Sequence, residues 1–191
     1  MSMRKDLGII LHECNHCGKC CKRRGEVSLT PLDVCNISKY LKITPRDFVS
    51  NYCDIGNGFD VQLRTNESDK MCIFFNRKKD NNSYCRIYDV RPSACYLYPL
   101  KSRPESINSF FIDSLAPCPT SKESISISEY VQVNSNGRYA IDFDHYKKFC
   151  MSVGAFYSDR NGLSEDQMFE FLFYNDSPEE LKQKLDHYLF G

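Results

Sequence analysis

The sequence predicts an α+β fold: a small single domain, mainly helices around an irregular cysteine-rich metal centre, with a few short strands. Three observations predict it. Strong helix-start signals stand in both halves of the chain. Between residues 54 and 120, Gly, Asn and Pro break the apolar pattern into short runs. Eleven cysteines are spread over 191 residues, and four of them fall within eight positions.

The elements follow in order. "CNHCGKCC", residues 14–21, is polar around every thiol and opens the metal-binding part. "TPLDV" at Thr30 and "TPRDF" at Thr44 each read as an N-cap Thr, Pro at the first helical position and an acid at the third. Val34, Ile37, Tyr40 and Leu41, then Phe48, Val49 and Tyr52, follow at helical spacing. "FDVQL", "MCIFF" and "YCRIY" predict short strands or irregular extended pieces, with a turn at "RKKDNNS". "INSFFID" predicts another strand. Pro92 is expected to start a short helix carrying Cys95. Helices return at "SEYVQV", near 140–153, and at "EDQMFEFLFY". "SPEEL" at Ser177 caps a last amphipathic helix with Leu181, Leu185 and Leu189. Residues 1–125 are therefore expected to form the cysteine-cluster core. Residues 126–191 are expected to be a C-terminal helical extension packed on the same domain.

Composition excludes several classes. Lys+Arg and Asp+Glu both number 25, so net charge gives no pull toward nucleic acid or an anionic membrane. The N-terminal run "LGII" is too short for a signal-peptide core, and no stretch reaches membrane length. The expectation is a cytoplasmic protein. There is no Walker loop, no G-x-G-x-x-G after a strand, no G-x-S-x-G and no H-E-x-x-H. The C-x-x-x-C-x-x-C of radical S-adenosylmethionine enzymes is also absent.

An odd cysteine count without a secretory signal argues against a disulfide framework and for metal ligands or redox groups. Cys35, Cys53 and Cys150 lie alone inside apolar helical patterns and read as small core hydrophobes. Cys14, Cys17, Cys20 and Cys21 read as metal ligands. Thiolates two residues apart can turn onto one ion, and Gly18 permits the tight turn after Cys17. A ferredoxin run would place its next cysteine after three residues, followed by Pro; here Cys21 follows Cys20 directly. Neighbouring side chains diverge in most conformations, so Cys20 and Cys21 are expected to serve different ions or different irons of one cluster. Cys72, Cys85, Cys95 and Cys118 supply a second set. Eight thiols suffice for two four-thiolate sites or one larger cluster. Thiolates suit zinc and iron–sulfur alike, so the cofactor is an iron–sulfur cluster or zinc.

"CNHCGKCC", "GEVSLTPLDV", "CIFF" and "CRIYDVRPSACYLYP" together closely resemble the YkgJ-like cysteine-cluster family, a zinc- or iron-chelating CxxCxxCC domain. The likeness runs from about residue 12 to residue 120 or beyond. It implies a chelated metal or iron–sulfur centre. A relative of this domain occurs in flagellin lysine-N-methylase, which implies an alternative: an S-adenosylmethionine-dependent protein lysine N-methyltransferase with a metal-organised site and a protein substrate. A further alternative is a zinc-organised interaction module with "CKRR" as the docking patch for a protein partner.

Lys19, Lys22, Arg23 and Arg24 would offset thiolate charge or form a solvated basic loop. His12 and His16 could replace a thiolate, while His145 and His187 lie on helical faces. Arg91 is expected to bond carbonyls or cluster sulfurs. Tyr84, Tyr88, Tyr96 and Tyr98 are expected to shield the centre from water.

Overall fold

Helix α2, Pro31–Leu41, is set at both ends by its sequence. Thr30 accepts from the Asp33 amide, the Asp33 carboxyl accepts from the Thr30 amide, and Pro31 holds the first helical φ. Lys42 closes the helix in the left-handed conformation, φ 58°, and donates to the Lys39 and Ser38 carbonyls. Helix α3, Pro45–Tyr52, repeats the Thr-Pro start at Thr44. These helices belong to a computed structural model that describes residues 9–10, 18–23, 27–56, 60–76, 84–103, 106–112, 124–125 and 163–190.

In chain order the other described elements begin with β1, Ile9–Ile10, and α1, Lys19–Arg23. β2, Val27–Ser28, comes before α2, and β3, Cys53–Ile55, and β4, Val61–Leu63, after α3. Next are β5, Phe75–Asn76, β6, Tyr84–Cys85, a 3-10 turn at Tyr88–Val90, and α4, Ser93–Tyr96. β7, Leu100–Arg103, β8, Ser106–Ile112, and β9, Ser124–Ile125, precede α5, Glu165–Phe173, and α6, Pro178–Phe190. The mixture is α+β, as the sequence predicts. β2, β4 and β3 form one antiparallel sheet in that order, with Val27 and Cys53 both opposite Leu63. β5–β6, β7–β8 and β1–β9 are antiparallel pairs. The β1–β9 pair joins Ile9 to Ile125, so the run "LGII" ends in a strand.

The strands stay short because their apolar runs are short, and helices supply most of the core. Val34 and Ile37 of α2, Phe48 of α3, Leu172 of α5 and Leu181 of α6 are fully buried in one cluster. That cluster also takes Val61 and Leu63 of β4 and Phe74 before β5. Phe74 stacks on Tyr52 at 5.1 Å between ring centres, and Phe48 on Tyr52 at 5.8 Å. This stack carries the packing of α3 directly to the segment that holds Cys72. Cys35 and Cys53 are core residues, as expected. Cys53, however, begins a strand, where a helical pattern was read.

Two joints fix the rest. Asn175, between α5 and α6, is completely buried. Its side-chain amide donates to the Phe171 and Leu172 carbonyls, and its side-chain oxygen accepts from Lys184 Nζ at 2.8 Å. Its own carbonyl accepts from Cys35 Sγ at 3.2 Å, tying this corner to α2. Ser164 and Gln167 form a capping box on α5, and Ser177 Oγ accepts from the Glu180 amide at the start of α6. The expected turn at "RKKDNNS" and the helices at "SEYVQV" and near 140–153 lie outside the described residues, as does Cys150.

Candidate metal centre

The second half of the cysteine motif is a single helical turn. Gly18 precedes it with φ 69°, a left-handed conformation that glycine adopts without steric cost. A Cβ at this position would collide with the Phe75 ring. The glycine is thus needed twice: for the turn, and for the close approach of the motif to the segment after Cys72. Lys22 closes the helical turn by donating to the Gly18 carbonyl at 3.1 Å.

Helix α1 carries Cys20 and Cys21, both half-buried. Their thiols hydrogen-bond one another. The Cys20 side chain thus lies within hydrogen-bonding reach of the Cys21 thiol.

Cys72 meets this turn from fifty residues further along the chain. Its amide donates to the Cys21 carbonyl at 3.2 Å. It pairs with Thr65 in an isolated bridge, and its carbonyl accepts from the Phe75 amide, which folds the chain into β5. Cys85 lies opposite Phe75 in the β5–β6 pair and packs half-buried on the core. Arg86 donates to the Ile73 carbonyl, stands 5.2 Å over the Phe74 ring, and favours the charged form of Cys72.

Cys95 arrives on α4. The turn begins at Pro92, as expected, and the Pro92 carbonyl accepts from the Cys95 amide at 2.7 Å. The start of α4 is held by Asp33 of α2, which is completely buried. Asp33 Oδ1 accepts from the Ser93 amide at 2.9 Å, and Oδ2 from Ser93 Oγ at 3.0 Å. The same Oδ2 takes the Thr30 amide at 2.9 Å and Thr30 Oγ1 at 2.8 Å. Arg91 donates to the Tyr88 carbonyl and lies 4.2 Å over the Tyr88 ring, so its carbonyl-bonding role is the one found.

These pieces converge. The Cys21 thiol is held strongly toward its protonated form, first by the hydrogen bond with Cys20, then by burial, then by negative charge at Cys20, Cys95 and Cys72. The Cys72 thiol is pushed up mainly by burial, with a contribution from Cys20. Cys20, Cys21, Cys72 and Cys95 are thus electrostatic neighbours drawn from three separate parts of the chain. Thiols so disposed resist ionising together unless a cation joins them. Thiolate is the donor chemistry that soft metal ions take. Among the described residues, no three Cys, His, Asp or Glu side chains already surround one point as metal ligands. Cys14, Cys17 and Cys118 lie outside the described residues, as do His12, His16 and His145.

The tyrosines divide. Tyr96 and Tyr98 are buried and Tyr88 is half-buried. Tyr84 is 37% exposed, and its hydroxyl accepts from Asn76. Asp33 and Arg86 were not singled out from the sequence. Asp33 was legible there only as a capping acid, a role that leaves most such side chains in water.

A family model described as "Putative zinc- or iron-chelating domain", CxxCxxCC, matches residues 13–135. The chain belongs to the CxxCxxCC family. An uncharacterized protein of Methanocaldococcus jannaschii is 34% identical over 90 residues, which make up 47% of this chain and 45% of that relative. The chain thus spans less than half the length of the curated relative it matches. No solved structure matches it. The family range takes in Gly18, the four converging cysteines, Asp33, Ser93 and Cys85. The zinc-or-iron description agrees with a thiol donor set that suits both. Among the described residues no helix is long and apolar enough to cross a membrane.

Proposed function

We propose that this CxxCxxCC protein is a metal-binding protein holding zinc or an iron–sulfur cluster. Cys14, Cys17, Cys20 and Cys21 would supply ligands together with Cys72, Cys85, Cys95 and Cys118. The observation that carries the reading is the approach of Cys72 and Cys95 to Cys20 and Cys21 across long stretches of chain. Buried thiols gain nothing from one another's negative charge, so their grouping supports a cation as the missing member. Zinc would tie the segments together structurally; an iron–sulfur cluster would add a one-electron couple. A reducing compartment such as the cytoplasm would keep these thiols available.

Anaerobic purification followed by metal analysis and an absorption spectrum tests the reading. Bound iron with broad absorbance near roughly 400 nm identifies a cluster, and a colourless protein with stoichiometric zinc identifies zinc. Cys20→Ser and Cys72→Ser should each lose metal, whereas Cys35→Ala should keep it. A chain that takes up neither metal, or that keeps full metal content in both serine variants, overturns the proposal.

A further inference from the structure

Asp33 does something that no helix cap requires. A capping acid satisfies the first amides of its own helix and normally stays wet. Here the carboxyl has no exposed surface and reaches across to a residue sixty positions away. One oxygen serves the Ser93 amide, and the other serves both Ser93 Oγ and the Thr30 amide and hydroxyl. Ser93 is itself buried. It is the first residue of α4, a single turn, and Cys95 lies two residues on. A four-residue helix has little stability of its own, so an external anchor must set its orientation.

We propose that Asp33 is a positioning residue that clamps the first turn of α4 to the capping box of α2 and so fixes where Cys95 is held. The inference rests on the metal-binding reading above for its purpose, but the clamp acts on the protein before any metal arrives. The core helix α2 serves as the fixed body: Val34 and Ile37 are anchored among α3, α5 and α6, and Asp33 transmits that rigidity to the cysteine. Ligand geometry is then set in advance by a buried carboxyl that touches no metal.

Asp33→Asn tests the clamp. Whichever way the amide is placed, its NH2 group faces a backbone N–H, of Thr30 or of Ser93. Ser93→Ala is the milder variant, removing one hydroxyl and leaving the α2 cap intact; it keeps the test open should Asp33→Asn not fold. Two readouts on the full chain are needed. In metal-free protein, alkylation of Cys95 by iodoacetamide, followed by mass spectrometry, should speed up about tenfold, while Cys35 and Cys53 stay protected. Zinc affinity, measured by competition with a chromophoric chelator, should fall about 10- to 100-fold in both variants. Unchanged Cys95 reactivity, or equal acceleration at Cys35 and Cys53, overturns the clamp, the latter because it marks general loosening. A parent chain that binds neither zinc nor iron overturns the metal reading separately, since the alkylation result needs no metal.

Discussion

At the scale of single residues, thiols of one chemical type have been assigned opposite work by their surroundings. Cys35 is buried to 1% exposure and its pKa is pushed up to about 12, first by burial and then by the negative charge of Glu180. Its proton is also used, in the bond to the Asn175 carbonyl. In the unfolded chain the same thiol ionises near 9.0. A group whose folded pKa lies above its unfolded one adds stability that is complete below the unfolded value. That stability drains away as pH rises from about 9 to about 12, because the unfolded state gives up its proton first. At about pH 10.5 the loss from Cys35 amounts to about 2 kcal/mol. Denaturant melts at about pH 8 and pH 10.5 should therefore show a smaller pH-dependent loss in Cys35→Ala than in the parent. Identical losses would mean that the thiol is not held protonated by the fold. Cys20, Cys21, Cys72 and Cys95 differ from Cys35 in their surroundings: the charge that acts on Cys21 and Cys72 comes in part from other thiols.

At the scale of elements, helix ends are where this sequence speaks most directly. Thr30, Thr44, Ser164 and Ser177 each cap the helix that follows, and capping is local, so adjacent residues announce it. The strands were legible only as short apolar runs, because their partners are remote: β1 needs β9, and β2 needs β4 from beyond two helices. The approach of Cys72 to Cys21 was legible from thiol chemistry, because ligands in one motif call for further thiols elsewhere in the chain. Asn175 was silent: a lone Asn between helices reads as a turn residue. Its burial and its bonds to α2, α5 and α6 make it the joint of the helical layer. Asn175→Leu should cost about 2–3 kcal/mol, because the Phe171 and Leu172 carbonyls lose their side-chain donor at this buried joint, while Lys184 keeps its ion pair with Glu180. Urea melts would measure this, and a cost below about 0.5 kcal/mol would show that the helices dock without the joint.

At the scale of the whole molecule, the proposed centre and the fold depend on one another. Fifty residues separate Cys21 from Cys72, and 22 more separate Cys72 from Cys95. Bringing the first pair together costs about 3–4 kcal/mol of chain entropy, to which the second closure adds. Two agents stand against that cost. The aromatic stack of Phe48, Tyr52 and Phe74 draws the Cys72 segment onto α3, and Asp33 draws the Cys95 turn onto α2. Metal binding would contribute more than either, on the order of 10 kcal/mol for structural zinc at thiolate sites. A peptide of residues 1–40 contains Cys14, Cys17, Cys20 and Cys21, so it tests whether the motif is sufficient by itself. It lacks Cys72 and Cys95, the thiols that the fold brings to Cys21, and it lacks the Phe75 ring over Gly18. It should therefore bind zinc at least about 100-fold more weakly than the full chain in chelator competition, a difference of about 2.7 kcal/mol. Equal affinity would mean that the first four cysteines close a site alone, and that the downstream thiols gather beside them for another reason.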